Sequence, residues 1–246
     1  MYDLLNFTPE NLQACAIALR NMNLGATYME ETANRMVRYL YDHLVERETG
    51  QRACALVRFF KTHPYGELDE GLQKSTHAIL GAREATPSTK CLTLLATAGD
   101  HLNWNSRQTS GGHKAIPLID EEFIARAPMI SQLIQQFGLE VKTVLQPDPD
   151  VLLDMERRTF NVFYVPEALG SSHIPAQTEF VIPYQIKSVL GFGGMLPCGN
   201  LFAIILFTKI LVPRPTADLF KWMAAYARIP VASFGEDAIF ADQQPF

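Results

Sequence analysis

The chain has 246 residues, which at about 150 residues per domain makes one large domain or one domain with attachments. Hydrophobic residues make up 48% and charged residues 19%, which excludes disorder over most of the length; a chain of this size buries about 70–75% of its unfolded surface. The net charge of −5 and a pI near 5.7 argue against a dedicated nucleic-acid binder, which carries a basic face.

Thr8-Pro9-Glu10 predicts a helix start, with a capping hydroxyl, proline in the first turn and an acid near the positive end. Leu12, Cys15, Ala16 and Leu19 follow at helical spacing, and Gly25 stops the helix. Thr27 and Glu30 suggest a capping box for a second helix, whose apolar face is Met29, Ala33, Met36, Val37, Leu40, Tyr41 and Leu44. These two helices serve either as a dimer seam or as cover for the core. The run ACALVRFFK (53–61) predicts a buried strand, ended by Pro64 and Gly66, and CLTLLA (91–96) a second, with a helix over 68–80 between them. A polar loop over 100–112 leads to a short extended piece, 113–118. Asp120 caps a helix that reaches Gly138, with Pro128 as an expected kink.

Pro147-Asp148-Pro149 is a rigid break, and the acids Asp148, Asp150, Asp154 and Glu156 after it read as helix-start charges. Strands are expected over 159–165, 186–195 and 201–209, with FVIP (180–183) extended before them. Pro197 to Asn200 bridges the last two as a hairpin, and the unbroken apolar character of LFAIILF points to a central strand covered on both faces. Pro213 and Pro215 precede a helix over 216–228, and the tail beyond Pro230 is expected to be loose. Several strands are neighbours without an intervening helix, so the pattern favours an α+β domain with a mostly antiparallel sheet.

The four cysteines (Cys15, Cys54, Cys91 and Cys198) form no CxxC pair, and no HExxH spacing appears, so neither a disulfide scaffold nor a local zinc site is indicated. The N-terminus lacks a basic region followed by an apolar one, and the longest apolar stretch, Leu201 to Phe207, falls far short of the ~20 residues of a membrane span. The expectation is a cytoplasmic protein with reduced thiols.

The most specific text is FVIPYQIKSVLGFGGMLPCGNLFAIILFTKILVPRPTADLFKWMAAYA (180–227), which resembles the end of a GAF domain: an apolar strand with a proline, a strand, a tight turn, another strand, a proline-arginine segment and a closing helix. The runs GFGGMLPCGNLFAIILFTK and ACALVRFFKTHPY resemble the N-terminal GAF-like sensory region of some bacterial sensor histidine kinases. The resemblance implies a GAF-like (profilin-like), mostly antiparallel six-stranded sheet with helices on both faces, over residues 27–232. Residues 1–26 would then be a helical extension and 233–246 a loose tail. It further implies a sensory or regulatory module that binds a small ligand or a partner and signals to a histidine kinase or other output domain as a homodimer, through the helices at 9–22, 27–47 and the C-terminus. No cofactor, nucleic acid or membrane span is assigned. The chain has no kinase motifs of its own, and Gly191, Gly193 and Gly194 do not open a helix, so a phosphate-loop reading fails.

In a GAF-like fold the ligand pocket lies between the sheet and the variable middle segment. Arg58, flanked by apolar residues, either holds an anionic ligand or lies on a wet strand face. Trp104, in a polar loop, is either a lid or folded onto the core, and His63, His101, His113 and His173 stand at strand ends or in loops. Arg58, Trp104 and His113 are the candidate ligand-binding residues. Cys198, in the hairpin turn, is the expected exposed thiol; an alternative reading makes it the centre of a cysteine-dependent small-molecule reductase, and a third makes the chain a dimerisation scaffold.

Overall fold

A computed structural model describes residues 1–147 and 161–241. In chain order, β1 (Tyr2–Asp3) precedes α1 (Pro9–Arg20) and α2 (Met29–His43), and β2 (Leu44–Val45) runs beside β1. Strand β3 (Cys54–Pro64), α3 (Glu70–Leu80), β4 (Lys90–Gly99) and β5 (Ala115–Leu118) follow, then three short helices, α4 (Glu121–Ala125), α5 (Pro128–Gln136) and α6 (Val141–Leu145). Strands β6 (Val162–Val165), β7 (Ser188–Met195) and β8 (Leu201–Thr208) lead to α7 (Arg214–Val231). Among the described residues the six longer strands make one sheet, in the order β5-β4-β3-β8-β7-β6, with every neighbouring pair antiparallel. The α+β class and the antiparallel sheet expected from the pattern are present, with the strand number six that the resemblance implies.

The sheet separates two apolar layers. Helices α1, α2 and α7 cover one face through Leu19, Met36, Leu40, Phe220 and Ala224, packed on Phe59, Leu190 and Phe202. Helices α4 to α6 and the segment 168–186 cover the other through Ile134, Val144 and Val181, packed on Leu94, Phe163 and Phe207. Strand β8 is buried along its whole length, as LFAIILF requires of a strand covered on both faces. Its hairpin with β7 closes through Gly199 at φ +79°, with the Leu196 amide bonding the Asn200 carbonyl at 2.7 Å. Among the described residues no helix is long and apolar enough to cross a membrane.

Four local expectations are corrected. The helix expected from Asp120 is two helices, because Pro128 offers no amide to continue α4 and instead starts α5. The FVIP run is no strand: Val181 and Ile182 bond the carbonyls of Ala176 and Gln177, so these amides are satisfied inside a π-helical turn while Val181 is buried. At the start of α2, Glu31 rather than Glu30 reaches back, its carboxylate 2.7 Å from the Thr27 amide; Glu30 bonds Arg107 instead, also at 2.7 Å. Residues 1–26 are no separate extension, since Leu4, Phe7, Cys15 and Leu19 belong to the same core as α7. The acids at 148–156 and the start of the expected 159–165 strand lie outside the described residues.

The tail is the largest correction. From 233 to 241 it lies across the start of α2, with Ile239 and Phe240 each 1% exposed. The reason is local: the first amides of a helix have no intrahelical acceptor, and the carbonyls of Ala238 and Ile239 take those of Met29 and Glu30 at 2.8 and 2.9 Å. Phe240→Ala is therefore expected to lower the unfolding free energy in urea by about 3 kcal/mol, as for a core phenylalanine, where a loose tail would give no change.

Candidate functional site

Strand β3 pairs with β4 on one edge and β8 on the other, and all of its residues but Pro64 are buried. Directly opposed residues on neighbouring strands share a face. Arg58 lies opposite Thr97 and Ile205, on the side of α4 to α6, whereas Lys61 lies opposite Thr93 and Phe202, on the side of α2 and α7. One strand thus sends a cation into each layer.

Arg58 is 8% exposed. Its guanidinium donates to Ser110 Oγ at 2.9 Å and to the Gly111 carbonyl at 3.4 Å, both in the loop after β4. Its Nε has no partner, and neither does Thr97 Oγ1 on the facing strand. Among the described residues no carboxylate pairs with it. Burial pulls its pKa down to about 10, which leaves it charged at neutral pH. A buried cation met only by neutral oxygens is costly.

His113 stands in the same loop, in the left-handed region at φ 54°. Desolvation first, and the charge of Arg58 second, lower its pKa, so the ring is neutral at pH 7. Trp104 folds back onto the core: its ring lies 4.3 Å from that of Tyr184 and 5.7 Å from that of Phe180. Gly99 makes room for it, since a Cβ there would sit 2.9 Å from Trp104 Cε3. The structure therefore brings Arg58 and His113 together and assigns Trp104 to the aromatic cluster beside them. Thr97 and Ser110 complete the polar group; nothing in the sequence marks them, because their role depends on the β3–β4 register and on the loop's return.

On the opposite face, Lys61 is fully buried and donates to Glu236 Oε2 at 2.8 Å. His63 is also buried, with Nε2 3.4 Å from Glu67 and Nδ1 3.8 Å from Glu236. Asn200 Nδ2 donates to Glu236 Oε1 at 3.3 Å, and Asn200 Oδ1 accepts from Thr62 at 3.2 Å. Lys90 donates to the Gly199 carbonyl at 2.7 Å, and burial lowers its pKa to about 8. Glu236 is held below the usual carboxylate range by its bond to Lys61, against the opposing effect of burial. The sequence hid this cluster because Glu236 lies in the stretch expected to be loose.

Cys198 is exposed at the rim of that cluster. Partial desolvation by the surrounding turn and a hydrogen bond to Glu236 push its pKa up, which holds it as a thiol. Cys15 and Cys54 are pushed to about 12 and Cys91 to about 11 by burial, so none of the three offers a thiolate as a resolving partner. Among the described residues no group of three His, Cys, Asp or Glu side chains is arranged to hold a metal ion. No protein-family model and no curated protein matches the chain.

Burial, with the charge of Lys61 beside it, lowers the His63 pKa from 6.5 to about 4. Above pH 6.5 the ring is neutral whether the chain is folded or unfolded. As pH falls below 6.5 the unfolded chain takes up a proton that the folded ring refuses, so stability drops until about pH 4. The full drop is up to about 3 kcal/mol. His63→Gln is expected to make urea-derived stability fall less steeply over that window than it does in the wild type.

Proposed function

We propose that this chain is a GAF-like sensory and regulatory module of bacterial signal transduction, which binds a small anionic ligand at Arg58 and passes its state through packed helices to a histidine kinase or other output domain. The observation that carries the reading is the buried guanidinium itself, with Nε and the neighbouring Thr97 Oγ1 both unpartnered. A carboxylate accepting from Arg58 Nε and from the Thr97 hydroxyl would satisfy both groups and neutralise the charge. The antiparallel sheet with helices on both faces supports the GAF-like assignment, and Arg58 faces the middle loop where the resemblance puts the pocket. A pure scaffold would gain nothing from an uncompensated buried charge, and the protonated Cys198 gives the reductase reading no activated thiol.

The expected homodimer finds its best surface on α7. Trp222, Tyr226 and Ile229 are 51%, 37% and 50% exposed and stand at i, i+4 and i+7 on its outer side. The outer side of α2 instead exposes Asn34, Arg35 and Arg38.

Two measurements test this. Native mass spectrometry of the full chain purified from a cell extract is expected to show a retained small molecule. Arg58→Met should lose it while keeping the wild-type circular dichroism, and Cys198→Ser should keep it. A bare wild-type mass, or a ligand that survives Arg58→Met, would sink the proposal. Sedimentation is expected to give a dimer that Trp222→Glu converts to monomer.

A further inference from the structure

Lys61 and Glu236 are 175 positions apart, and their side chains are 0% and 40% exposed, so the buried cation's counter-charge comes from the surface. Glu236 sits between Gly235 and Asp237, both exposed, in a turn closed by the Ala238 amide on the Gly235 carbonyl at 3.1 Å. We propose that Lys61, His63, Lys90 and Asn200 form a phosphate-binding site in which the Glu236 carboxylate is a built-in competitor, displaced to solvent when a phosphate group enters.

The chemistry of the donors argues for phosphate. A carboxylate has two oxygens and, ionised, can only accept hydrogen bonds. Glu236 uses one oxygen on Lys61 and the other on Asn200, and also accepts from the Cys198 thiol at the rim. His63 is then left over: its Nε2 faces the Glu67 carboxylate, which places the ring's single proton there. Nδ1 therefore presents a lone pair toward Glu236 Oε2 at 3.8 Å, acceptor to acceptor, and has no partner although the ring is buried. A protonated phosphate resolves the mismatch. Its hydroxyl donates to His63 Nδ1 while its other oxygens accept from Lys61 Nζ and Asn200 Nδ2. The amine of Lys90, now on the Gly199 carbonyl, supplies further positive charge at the rim. The exchange removes one anion from the site as another arrives, so Lys61 is never left buried without a counter-charge. This site lies on the opposite face of β3 from Arg58 and does not depend on what Arg58 binds.

Isothermal titration of the full chain with inorganic phosphate, and separately with glycerol phosphate, reads the site directly. Glu236→Gln removes the competitor and is expected to bind phosphate at least about fivefold more tightly than the wild type. Adding Lys61→Met to that variant should abolish binding. Sulfate, which carries no proton at neutral pH, should bind at least about fivefold more weakly than phosphate, since it cannot donate to His63. A response to both phosphates, or to inorganic phosphate alone, supports the site and tells whether a monoester also fits; a response to glycerol phosphate alone, whose dianion has no P–OH to donate to His63, would overturn it. No binding by folded Glu236→Gln, binding that survives Lys61→Met, or equal affinity for sulfate would overturn it. If Glu236→Gln fails to fold, hydrogen exchange of the wild type decides. Amides over 233–238 should exchange faster in phosphate than in chloride of equal ionic strength, and unchanged exchange counts against the proposal.

Discussion

Strand β3 has no wet side. It is hydrogen-bonded along both edges and covered on both faces, so whatever side chains it carries go into one layer or the other. Most of them are apolar and lock the sheet between the two helical layers. Arg58 and Lys61 are its two buried cations, and the surrounding structure is arranged around their charges. A buried cation must be met by hydrogen bonds, a counter-charge or a ligand, because leaving it bare costs several kcal/mol.

The two are met differently. Lys61 receives a carboxylate, which obliges residues 233–241 to pack across the start of α2 and not trail into solvent. Arg58 receives only a hydroxyl and a carbonyl, which obliges the loop after β4 to fold back over the sheet. That same loop carries Arg107, whose guanidinium is 2.7 Å from Glu30, 3.6 Å from Asp69 and 5.0 Å from the centre of the Phe240 ring. The covering of Arg58 and the covering of Lys61 are therefore joined through one side chain, which also ties the starts of α2 and α3 to the tail. A change in the loop on one face has a direct mechanical contact with the tail on the other.

The elements themselves were legible in the sequence. The stripe from Met29 to Tyr41, the hairpin over 197–200 and the apolar run of β8 each follow from a local rule that the fold obeys. Local rules failed where a group's partner lies far along the chain. Glu30 fits a capping box by spacing but is taken by Arg107, 77 positions away. Phe180 and Val181 have strand-forming side chains, yet their segment closes into a π-helical turn, in which the Val181 and Ile182 amides bond the carbonyls of Ala176 and Gln177. Of the site residues, Arg58 stood out as a charge inside an apolar run, whereas Lys61 stands at the end of that run, where local pattern does not separate a buried cation from a solvated one.

The sequence by itself determined that the chain forms an α+β domain, where most of its helices and strands lie, and that Arg58 interrupts an apolar strand run. Those are consequences of hydrophobic period, caps and turn residues, all of which act within a few positions. Tertiary structure alone decided which face each cation enters, that Thr97 and Ser110 gather around Arg58, and that Glu236 neutralises Lys61. These depend on strand register and on the return of distant loops, and a one-residue slip of β3 would exchange the two faces.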